Sequence, residues 1–294
     1  MKFIIILLFG SLFISCAKTE KNVELNIDLL NSMDNTFCLT FSEKKDEVYY
    51  TKARGIWGKE KLKSSIFYTK LENNAWTQPV KLLFDKRYNF SSPHLNSDDK
   101  RLYFISDQPI KNDSSSNIWY VERQSVKAAW SKPQILPFTI NSEYSEYSPK
   151  STPNGDLYFA SRRPGGFGQG DLYVSKNNNG ILSQPINLGP AINSDKGEWN
   201  LELSDDGEIL IFEASQRPEN KSSFGDLYIS FKKNDSWTKP FNLRDINTTG
   251  SDLYPTIIGD KLYYSSSDSI AGPRTSLYVT SLAMLIQNTK KSMD

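Results

Sequence analysis

Three acids stand at matching places in the chain. Glu146, Glu198 and Asp252 each fall five residues after an Asn (Asn141, Asn193, Asn247). Carboxylates brought together from separate segments can hold a metal ion, bind a cationic group or share acid–base work on a glycosidic bond. The plainer reading, which we prefer, is that each acid accepts hydrogen bonds from backbone amides of its own turn. A residue that recurs with a repeat usually belongs to the architecture of that repeat. Aligning the remaining units through their second strands sets Ser91 and about Phe37 at the same place, so a ring of acids would be incomplete.

Arg162 and Arg163 precede Pro164-Gly165-Gly166. Glycine lets backbone approach a ligand, and Arg can grip a carboxylate or phosphate with two donors. The alternative is a turn whose Arg pairs with a neighbouring acid; lone Arg217, in the matching loop of the fourth unit, is a weaker candidate for the ligand role. His94 is the single histidine, and there is no G-x-S-x-G elbow and no His/Cys cluster of the zinc type. The run Gly165–Gly170 lacks the context of a phosphate loop. Trp76, Trp130 and Trp237 read as packing residues rather than sugar platforms. Nothing calls for a metal or another cofactor.

These residues are positioned by a repeat. An apolar or aromatic residue followed by Asn occurs at Asn31, Asn89, Asn141, Asn193 and Asn247, with spacings of 58, 52, 52 and 54. Aromatic-x-x-Pro recurs in phase at Trp76…Pro79, Trp130…Pro133 and Trp237…Pro240, with Leu182…Pro185 as a variant. A period of this size indicates a solenoid, propeller or array.

Each period reads as four short strands. In the third unit they are Tyr147–Ser151, Asp156–Ser161, Asp171–Lys176 and Leu182–Leu188, the last with a Pro that suits only an edge. Four antiparallel strands per repeat make a propeller blade. The expected fold is therefore all-β, a five-bladed propeller over residues 23–283, with six blades as the alternative. The fifth unit lacks an aromatic-x-x-Pro segment. Val23 to Leu29 alternates with period 2 just before Asn31, so this strand is expected to complete the last blade and close the ring. Residues 284–294 are left as a tail that frays or forms a short helix.

Lys+Arg is 35 against Asp+Glu 34, so no basic field favours nucleic acid. The cysteines are Cys16 and Cys38; Cys38 lies in an apolar run and reads as buried. Lys2 followed by the apolar run from Phe3 to Ile14, then Ser15-Cys16, has the layout of an export signal. It resembles a bacterial lipobox, with Phe13 where Leu is usual. The resemblance implies removal of residues 1–15, lipidation of Cys16, and a tether over residues 16–22. Ala17 after the cysteine favours the outer membrane, with the periplasmic face slightly preferred over the cell surface.

The phrases T-P-N-G-D-L-Y-F-A-S-R-R and S-D-D-G-E-I-L-I-F resemble the WD40-like repeat of TolB and of many bacterial envelope proteins. That resemblance implies a non-catalytic lipoprotein whose propeller binds an envelope protein, cell-wall or glycan partner. The alternative is a carbohydrate-active enzyme, since five-bladed propellers include glycosidases; Glu146, Glu198 and Asp252 would then serve it. A third idea is a small ligand held by Arg162 and Arg163.

Overall fold

A computed structural model describes residues 24–31, 34–56, 61–110, 115–267 and 274–291. The expected export signal, Cys16 and the expected tether fall outside the described residues.

Five antiparallel sheets stand around an axis. Their inner strands are Asn35–Phe41, Phe90–Leu95, Glu146–Ser151, Gly197–Leu203 and Ser251–Ile258. Each inner strand touches the next, and the last touches the first, so the ring closes with five blades rather than six. The second strands (Glu47–Arg54, Arg101–Ser106, Leu157–Ser161, Ile209–Ser215, Lys261–Ser267) carry apolar residues on both faces. That pattern is what a sheet buried between two neighbours demands. Leu157, Phe159, Leu210, Phe212 and Leu262 are all at 0% exposure.

The third strands are Lys63–Glu72, Asn117–Glu122, Asp171–Ser175, Asp226–Lys233 and Ser276–Ser281. The outer strands are short and broken. In the third blade Ile181–Leu182 turns back on Asn177–Asn178, whereas Ile186–Asn187 pairs the third strand. Pro185 separates the two pieces because it cannot donate to the ladder. The tryptophans wedge between blades; Trp130 Nε1 donates to Tyr49 Oη of the preceding blade at 3.3 Å.

The marker asparagines are clasps. The Ile118 amide donates to Asn141 Oδ1 (2.8 Å), and Asn141 Nδ2 donates to Ile118 O and Leu136 O. Asn193 treats Leu172 the same way, and Asn247 treats Leu227. The side-chain amide imitates one more residue of strand, satisfying a buried peptide beyond the end of the outer strand. Asn89 differs and accepts from the Ser64 amide.

The N-terminal segment closes the ring differently from the sequence expectation. The fifth sheet has three strands, and residues 24–29 add no ladder to it. Ile27–Leu29 is instead a 3-10 turn, started by Asn26, whose Oδ1 accepts from the Asp28 amide. Asn31 then clasps Leu277 as its counterparts do, at 2.8 and 3.1 Å. Leu25 and Leu30 are buried beside Tyr263 and Leu277. At the other end the helix Leu282–Lys291 follows the last strand directly and lays Leu282, Leu285 and Ile286 against Leu243 and Phe241 of the fourth blade.

Candidate functional site

The three acids do not converge. Glu146, Glu198 and Asp252 are each 0% exposed and sit in their own blade turns. The Ser142 amide and hydroxyl both donate to Glu146, at 3.1 and 2.6 Å. Ser194 does the same for Glu198, and Thr248 for Asp252. Register assigns the matching positions in the first two blades to Thr36 and Phe90, which face Lys52 and Ser106. The sequence alignment to Phe37 and Ser91 is one residue too far, because the turn from inner to second strand is one residue longer in these blades: Phe41 faces Val48 and Leu95 faces Leu102, whereas Ser151 faces Leu157.

The arginines divide. Arg163 reaches Glu146 Oε1 (3.3 Å) and the Ile140 carbonyl, and Arg217 holds Glu198 (2.7 Å) and the Ile192 carbonyl. Both fasten a turn to the preceding Asn loop. Arg162 is exposed and lies 5.0 Å over the Trp199 ring and 5.9 Å from Tyr147. Gly170 and Gly197 permit this, since a Cβ on either would come within 3 Å of the indole.

What does converge is the channel. Each inner strand carries a bulge at one equivalent place. Cys38, Ser92, Ser148 and Tyr254 occupy it with φ of 47 to 53°, and Asn200 is the fifth member. Two residues further on, a second layer comprises Thr40, His94, Lys150, Glu202 and Thr256. All five line a cavity of about 680 Å³ at the channel mouth, with Glu43 and Asp205 also on its wall.

Lys150 Nζ donates to Glu202 Oε2 at 2.8 Å, and the two side chains are 6% and 12% exposed. Burial pushes the Glu202 carboxyl up; Lys150 opposes this and Asp205 adds to it. Burial pulls the Lys150 ammonium down, but Glu202 and Cys38 together more than restore it. His94 accepts from the Ser151 amide (2.8 Å), and burial with Lys150 nearby lowers it to about 3, so the imidazole is neutral. Behind this layer Ser148 donates to Asn200, which donates to Glu213. Burial raises the Glu213 carboxyl to about 8. Cys38 is buried as expected, its thiol raised to about 11.

Sequence reasoning missed Lys150 and Glu202. A signal existed: residues 40, 150, 202 and 256 each fall nine places after a marker Asn. Two of these positions are Thr and the other two carry opposite charges, so the series shows no single repeated residue type.

No family profile matches the chain, and no curated protein matches it. Solved structures do. An endo-arabinase from Bacteroides thetaiotaomicron VPI-5482 aligns with a TM-score of 0.56 at 13% identity, covering 86% of this chain and 95% of that one. A GH43 β-xylosidase/α-arabinofuranosidase from a compost microbial metagenome gives 0.53 at 12%, covering 86% and 92%. An α-L-arabinanase from Penicillium chrysogenum gives 0.50 at 11%, covering 85% and 94%. The chain spans only 34% of a puromycin-hydrolyzing peptidase from Mycobacterium tuberculosis that it also matches. Such identities establish the propeller fold.

The comparisons correct one expectation. The neighbours reported with TM-scores of 0.50 to 0.56 are glycoside hydrolases, which speaks against the reading of a non-catalytic envelope module and favours its carbohydrate-active alternative. The geometry moves that alternative to other residues, because Glu146, Glu198 and Asp252 are enclosed in turns.

Proposed function

We propose that the protein is a carbohydrate-active enzyme of the hydrolase type, working at the channel mouth. One observation carries this reading: of the three carboxylates on the cavity wall, Glu43, Glu202 and Asp205, the last two interact and yet stand in contrasting environments. Glu202 is buried and pushed up, whereas Asp205 is exposed. Carboxyl groups driven apart in this way divide into an acid and a base or nucleophile. Glu202 is the candidate acid, giving its proton to the leaving oxygen. Lys150 would then stabilise the carboxylate that remains, which lowers the barrier most where water is excluded. Asp205 is the candidate partner for water or for the anomeric carbon. Fold likeness to arabinan- and xylan-type hydrolases supports testing neutral pentose glycans first.

The test is a hydrolysis screen on arabinan and xylan oligosaccharides. Turnover that falls by about 10²-fold or more in Glu202→Gln and in Asp205→Asn supports the proposal. A panel with no product, or variants as active as the parent, overturns it.

The address is a separate proposal, resting on the lipobox-like run alone: Cys16 is lipidated and holds the protein at the outer membrane. Labelled fatty acid incorporated by the parent but not by Cys16→Ala tests it. The repeats are likewise proposed to be of the WD40-like kind.

A further inference from the structure

A concentration of positive charge lies outside the channel-mouth cavity, on the first blade. Here the connection bearing Lys86 and Arg87 folds over the second and third strands and encloses a cavity of about 410 Å³. Six cations line it: Lys52, Arg54, Lys63, Lys81, Lys86 and Arg87. Two carboxylates answer them. Asp34 lies 3.9 Å from Arg54, and Asp85 is bound by Arg87 at 2.5 Å. The local excess is four positive charges in a protein whose formal net charge is +1. Lys63, Lys81 and Lys86 make no ion pair among the described residues.

The ladder sharpens the point. Arg54 lies directly opposite Lys63 on adjacent strands, and Lys52 shares their face, two residues along. Like charges placed opposite each other destabilise a sheet unless something compensates them. Burial also drives the Lys52 ammonium down despite Asp34 nearby. The cleft is not built of cations alone. The Phe67 ring lies 5.3 Å beneath Lys52, and Phe67 faces Lys81 across the ladder. Ser65 lines the same wall.

We propose that this cleft binds an acidic polysaccharide, with its carboxylates held by Lys52, Lys63, Lys81 and Arg54 and a sugar face resting on Phe67. Flexible ammonium groups suit carboxylates presented at intervals, an aromatic ring suits the apolar face of a pyranose, and a hydroxyl suits its neighbours. A duplex or a flat anionic membrane would require a broad basic stripe. Here the charge is confined to one cleft of a nearly neutral chain. The site stands independently of the hydrolase proposal and would hold a charged glycan whether or not the channel cleaves one.

The experiment titrates the full chain, by calorimetry at low and physiological salt, with four probes. They are a hexamer of galacturonate, a neutral arabinan oligosaccharide of similar length, single-stranded DNA, and vesicles containing phosphatidylglycerol. Expected is salt-sensitive binding of the galacturonate hexamer that exceeds the neutral oligosaccharide by about tenfold or more. The triple variant Lys63→Ala, Lys81→Ala, Lys86→Ala, all at exposed positions, should lose that binding, whereas Glu202→Gln should retain it. Equal binding of the neutral oligosaccharide, binding of DNA or vesicles only, or an unaffected triple variant would each overturn the proposal.

Discussion

Lys150 Nζ and Glu202 Oε2 are 2.8 Å apart across two neighbouring blades, and both side chains are almost wholly withdrawn from solvent. A buried pair of this kind contributes little net stability, but removing one partner leaves the other's polar group buried without its hydrogen bond. Lys150→Ala should therefore cost about 3–5 kcal/mol, whereas Lys150→Met combined with Glu202→Leu should lie near the parent. Urea midpoints decide it; a single variant as stable as the double would contradict the geometry.

Glu213 makes stability depend on pH. Burial penalises the charged form and pushes its carboxyl up to about 8 in the folded state, from about 4.5 in the unfolded chain. The folded state thus binds more protons between these values, and stability falls as pH rises through that window. Asp252, raised to about 6 by burial, adds a slope of the same sign at the lower end. Glu213→Gln keeps an acceptor for Asn200 and removes the titration. Between pH 6 and 8 the parent should lose stability while the variant stays level. Parallel curves would sink the assignment.

The seam rests on Asn31. Asn31→Ala removes both bonds to Leu277 and leaves a buried peptide unpaired, for a loss of about 1–3 kcal/mol. Hydrogen exchange should speed up first in Ser276–Ser281, the third strand of the fifth blade. Asn193→Ala should instead loosen the third blade, whose Leu172 it holds. Uniform acceleration in both variants would argue against separate clasps.

Arg217 and Glu198 form a fastening rather than a ligand site. Arg217→Ala should lower stability by about 3 kcal/mol through the carboxylate left behind at 0% exposure. Hydrolytic activity, if the screen finds any, should be unchanged per folded molecule. A loss of turnover without a loss of stability would return Glu198 to the list of reacting groups.

Much of the fold could be read from the chain because its signals are periodic. The Asn markers and the second strands gave the blade number, and the recurrence of an acid five residues after its marker Asn pointed to the turn chemistry found at Glu146. Closure was only half legible. The alternation of Val23 to Leu29 suggested a strand, yet Asn26 caps a 3-10 turn at Ile27 and the clasp at Asn31 does the joining. The channel was hidden for a physical reason. Bulged residues such as Ser148 and Tyr254, with φ near 50°, shift the facing of every side chain after them, and no local pattern announces that shift. Lys150 and Glu202 are 52 residues apart, and only the closed ring makes them neighbours.

Shape and content are stored at different addresses in this chain. Clasping asparagines and turn acids recur along the chain, whereas Thr40, His94, Lys150, Glu202 and Thr256 share a single layer that holds four different side chains in five positions. Each of those five letters belongs to its own repeat. A repeat exchanged for another would therefore rewrite one letter of the mouth and leave the spelling of the ring intact. New specificities become reachable by shuffling segments of the gene rather than by redesigning the scaffold.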